Sequence, residues 1–97
     1  MSHNNPNLDR ARQLLSPGLM VEVNKPPFTV RGWKILERWA ANSPTKLQSL
    51  AGQGTIVFVN RLLDQQALET KAIQSADSTA GLAEMEILQM HEIRTEL

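Results

Sequence analysis

The sequence predicts a mainly α fold, a small single-domain bundle of about four to five helices, on three observations. Apolar residues recur at helical spacing in several separate segments. Ser-Pro and Gly-x-Gly strings punctuate those segments as starts and stops. A chain of 97 residues has room for one hydrophobic core, since two would each bury too little surface to hold. Two short stretches rich in β-formers, residues 19–23 and 56–59, leave one short β pair open as an addition to the bundle.

Residues 1–6 are polar and aperiodic and read as a flexible N-terminal arm. The core domain is placed at residues 7–73. Asn7 is a good N-cap, and Leu8, Ala11, Leu14 and Leu15 then carry a short helix until Ser16, Pro17 and Gly18 stop it. Leu19 to Val23, closed by two prolines, is read as an extended segment. Thr29 caps the most regular element, residues 30–41. Val30, Trp33, Leu36 and Ala40 form its core face, and Ile35 and Trp39 lie on a flank. Ser43 followed by Pro44 restarts a helix, whose Leu47 and Leu50 point inward until Gly52, Gln53 and Gly54 end it. From residue 56 to 73 one long helix is preferred, because Leu62, Leu63, Ala67, Leu68 and Ala72 keep the helical period; the alternative pairs residues 56–59 as a strand with 19–23. Small polar residues 74–79 read as a linker, and residues 80–97 as a C-terminal helix or tail that docks on the core, pairs with another copy or frays.

The chain has no cysteine, so disulfides and thiolate metal sites are excluded, and a cytoplasmic address is expected. The N-terminus shows no secretory pattern, and no segment is apolar enough to span a bilayer. Net charge is zero but unevenly spread. Residues 1–50 hold seven Lys/Arg against three Asp/Glu, and residues 51–97 hold three against seven. Such halves either attract each other, within one fold or across a homodimer, or offer a basic front to an acidic partner; the internal pairing ranks first.

Catalytic and cofactor chemistry is mostly missing. There are two histidines, His3 in the arm and His91 in the charged C-terminal segment, and neither has a nucleophile or metal-ligand partner at a useful spacing. Glu84, Glu92 and Glu96 read as a solvated face. The string Gly52-Gln53-Gly54 lacks the third glycine and the Lys-Ser/Thr of phosphate loops and reads as a helix stop. The expectation is therefore no enzyme, no metal and no cofactor.

One surface stands out. Arg31, Lys34 and Arg38 fall within roughly 60° of one another on the wheel, opposite the expected core stripe and beside Ile35 and Trp39; the plainer alternative is a solubilising face with Trp39 tucked into the core. A second candidate is the apolar side of residues 82–93, with Met85 and Leu88, where thioethers suit adaptable contacts. The expected function is a small protein–protein interaction module, an adaptor, inhibitor or accessory subunit that can self-associate. Its partner-binding residues are placed at Arg31, Lys34, Ile35, Arg38, Trp39, Met85 and Leu88. The rival is a nucleic-acid-binding accessory protein that uses the basic trio. A helix-turn-helix over residues 30–50 is weakened by a second helix that offers only Lys46, Gln48 and Ser49.

Overall fold

The computed structural model describes residues 8–75 and 83–97. They form six helices and no strand: α1 (Asp9–Leu14), α2 (Pro17–Val23), α3 (Val30–Asn42), α4 (Pro44–Gly52), α5 (Thr55–Ser75) and α6 (Glu84–Met90). The expected arm over residues 1–6 and the Asn7 cap lie outside the described residues. So does most of the linker expected at 74–79, although residues 74 and 75 complete α5.

The extended reading of residues 19–23 is corrected, and with it the β pair. Ser16 is an N-cap whose Oγ accepts from the Leu19 N–H, and Pro17 occupies the first helical turn. The same Ser-Pro cue that starts α4 therefore starts α2, and Leu19 and Val23 are buried four residues apart on one face. Residues 56–59 open α5, as the helical reading required.

α3 is the central element and packs against α5, α1 and α4. Its buried residues are Gly32, Ile35, Leu36, Trp39 and Ala40. Val30 is half exposed and Trp33 only partly buried, so the core stripe is rotated by roughly 90° from the expected one. Trp33 earns its place through its indole N–H, which donates to Val23 O at 2.8 Å and ties α2 to α3. The α5 face opposite carries Phe58, Leu62, Gln65, Glu69 and Ala72, a 4-3-4-3 spacing that lies along one line of the helix.

Several helix ends are satisfied by distant residues. The Glu37 carboxylate on α3 accepts from the backbone N–H groups of Arg10 and Ala11, at 2.8 and 3.1 Å, and so caps the first turn of α1. Gln66 on α5 accepts from Thr29 N–H at 3.0 Å, where the Thr29 side chain makes no cap bond, and donates to Pro27 O at 3.1 Å. Ser43 likewise makes no side-chain cap for α4. Between α4 and α5, Gly54 takes φ 117, a conformation open to glycine.

The last helix is shorter than the sequence suggested. Glu86 reaches back to the Ala83 N–H at α6's start. At its end Glu92 N–H donates to Gln89 O, and Ile93 N–H to Leu88 O, both at 3.0 Å, with Glu92 left-handed at φ 56. This paired bonding closes the helix and reverses the chain. Residues 93–97 leave it without helical structure and return across the bundle.

Candidate functional site

The C-terminal segment lies on the face that the sequence left open. Glu84 at the start of α6 accepts from both terminal nitrogens of Arg31, and Lys34 Nζ stands 3.8 Å from the same carboxylate. Arg38 sends its terminal nitrogens into Glu69 of α5 and its Nε to Thr95 O at 2.9 Å, with Glu96 at 3.7 Å. The basic trio is thus engaged by carboxylates within the same chain. Glu84 and Glu96, expected on a solvated face, keep much of their exposure but are also ion-pair partners, because the segment carrying them folds back onto α3.

Ile35 and Trp39, placed among the partner-binding residues, are core instead, as the plainer reading had it for Trp39: both are 0% exposed and belong to the main hydrophobic cluster. Leu88 is also buried, at 1%, together with Ile87 on the inner side of α6. None of these three offers a side chain to solvent. Met85 and Met90 do, at 41% and 62% exposed. Arg38, expected outward, has a side chain only 13% exposed.

What α3, α5 and the first turn of α4 present to residues 94–97 is a row of donors. Trp39 Nε1–H donates to Thr95 O at 2.9 Å, beside the Arg38 Nε bond to the same oxygen. Gln65 Nε2 donates to Arg94 O at 2.7 Å. Asn42 Nδ2 donates to Glu96 at 3.1 Å, and Ser43 Oγ to its other oxygen at 3.5 Å. The Leu97 side chain packs against the main cluster, and Lys46 Nζ donates to Leu97 O at 3.3 Å. Two consecutive carbonyls, one carboxylate and one apolar side chain of a non-helical segment are each met by a specific group.

A second set of contacts holds these donors in place. Glu69, wholly buried, accepts from Arg38 and from Gln65 Nε2, the latter at 2.7 Å. The Gln65 carbonyl accepts from Arg61 Nη1 at 2.9 Å, which assigns the amide's orientation, and the Arg61 guanidinium lies 5.0 Å from the Trp39 ring centroid. No buried side-chain polar atom among the described residues lacks a partner. Gln65 and Glu69 were not singled out from sequence; the available signal was their place on the buried 58-62-65-69-72 line of α5, where a polar residue must find a partner.

Among the described residues Glu84 has a perturbed carboxyl. The hydrogen bonds from Arg31 hold its carboxyl below the ordinary value, against a smaller opposing effect of burial, and the Arg31 and Lys34 charges add to the lowering. Among the described residues no cluster of His and carboxylate side chains could hold a metal, and no helix is long and apolar enough to cross a membrane. No protein-family model, curated protein or solved structure matches the chain.

Proposed function

We propose that the chain is a small non-catalytic protein–protein interaction module, an adaptor, inhibitor or accessory subunit of the cytoplasm, that binds extended polypeptide along the α3–α5 face. The observation that carries this reading is the way residues 94–97 lie on that face. Side chains from two helices read their main-chain oxygens, a carboxylate and an apolar side chain, which is how a peptide ligand is held. A nucleic-acid role for Arg31, Lys34 and Arg38 loses its phosphate contacts, because each already stands beside a carboxylate.

The two readings part in an NMR titration of the full chain at low salt. A synthetic peptide with the sequence of residues 83–97, added to millimolar concentration, should shift amide signals of α3 and α5 and the Trp39 indole. Duplex DNA should shift none of them. Shifts with DNA that fade as salt rises, and none with the peptide, would sink the proposal.

A further inference from the structure

The donors that meet residues 94–97 are fixed by groups that do not touch those residues. Glu69 takes two nitrogens of Arg38 and leaves Nε directed at the peptide. Arg61 and Glu69 between them occupy the Gln65 carbonyl and one of its N–H groups, leaving the other for Arg94 O. The Trp39 ring is clamped in the core, with its N–H at the surface of the groove. Three donors aimed at two consecutive carbonyls are therefore set by α3 and α5 alone. Such preorganisation spares a ligand the cost of ordering its receptor.

Main-chain contacts do not depend on the ligand's side chains, so selectivity falls to the next two positions. Asn42, Ser43 and the edge of Arg38 surround a carboxylate, and Leu97 fills an apolar position against the core cluster. Lys46 then meets the oxygen that follows. We propose that this groove is a binding site for an extended partner segment with a glutamate followed directly by a large aliphatic residue, and that residues 94–97 occupy it in cis as a competing pseudo-ligand. This rests on the reading of the chain as an interaction module and adds the partner's chemistry and its control. A tethered competitor acts at an effective concentration on the order of millimolar, so a partner binds tightly only when its own contacts exceed those of the tail or when the tail is released.

The test uses the full chain and a fluorescein-labelled heptapeptide with the sequence of residues 91–97. Anisotropy is compared between the unaltered chain and one carrying Glu96→Ala with Leu97→Ala, which weakens the tail and leaves the donors intact. The weakened-tail chain should bind the peptide at least about tenfold more tightly, because the cis competitor is removed. In that background Asn42→Ala with Lys46→Ala, two exposed positions, should weaken binding several-fold, as should Glu96→Gln or Leu97→Ala within the peptide. Equal affinity of the two chains would overturn the competition while leaving peptide binding standing. No binding by either would overturn both this proposal and the functional reading. Should the weakened-tail chain unfold, the unaltered chain decides: millimolar peptide should move the amide signals of its residues 93–97 to random-coil positions while the Trp39 indole signal stays, and unmoved tail signals would overturn the proposal.

Discussion

Glu69 and Arg38 meet beneath the returning tail, the first wholly buried and the second with a side chain 13% exposed. Removing water from two charges is costly, and mutual attraction offsets that cost only while both partners are present. Glu69→Ala should therefore lower the unfolding free energy by about 3 kcal/mol, read from urea denaturation, because Arg38 and Gln65 lose a shared acceptor. The pair Arg38→Met with Glu69→Leu should recover much of that loss, since no uncompensated charge remains. A single-variant loss near zero would mean that water reaches Glu69. The adjacent Trp39 illustrates what a sequence conveys at this scale. An indole beside basic residues was legible, and so was a ring tucked into the core; that its N–H meets the Thr95 carbonyl was not, because Thr95 is 56 residues away and the seven apolar residues of α3 allow the core stripe to sit at more than one angle. The neighbours on both sides of the helix settle which.

At the scale of elements, α3 leaves no room for a side chain at Gly32, where it faces Gln66 of α5. A Cβ there would sit 2.2 Å from Gln66 Oε1, and Gln66 is bonded to Thr29 N–H and Pro27 O. Gly32→Ala gains helix propensity but displaces a side chain that holds two backbone groups, so the expected net loss is about 1 kcal/mol. In a Gln66→Ala background the main obstruction is absent and only Phe28 Cδ1, at 3.3 Å, must give slightly, so Gly32→Ala should cost clearly less than in the unaltered chain; thermal unfolding of the four chains closes the cycle. Additive losses would show that Gln66 is not the obstruction. Four helices, α1, α3, α4 and α5, were legible from period and punctuation. α2 was not, because Ser16-Pro17 reads equally as the end of one helix or the cap of the next, and Val21 and Val23 favour strand on propensity alone. Burial of Leu19 and Val23 on the bundle decides for helix, an outcome of tertiary context. α6 was extended too far from the sequence because the left-handed Glu92 gives no warning of the kind that glycine gives.

Across the whole molecule, the unequal halves of the chain find each other. Arg31, Lys34, Arg38 and Lys46 from the basic half contact Glu84, Glu69, Glu96 and Leu97 O from the acidic half. The charge asymmetry was plain in the sequence, and attraction between the halves ranked first; which residues pair was not legible, since these partners stand tens of residues apart and spacing reports only on neighbours within a helix. A pH dependence follows for Glu84. Its carboxyl is held below the unfolded value of about 4.3, so its contribution is fully present above that pH and is lost as pH falls through the folded value. Amide exchange at Leu88 and Ile93 should accelerate as pH is lowered from 6 to 3, after correction for intrinsic rates. Glu84→Gln should blunt that acceleration. An unchanged acid response in the variant would place the sensitivity elsewhere.

The carboxylate that caps α1 belongs to a residue 26 and 27 positions further along the chain. A six-residue helix is too short to persist in water alone, and the acceptor for its opening amides exists only once Glu37 has been positioned. The opening turn of α1 is thus completed by tertiary contact and not by its own residues: Glu37→Ala would leave two backbone amides without their acceptor.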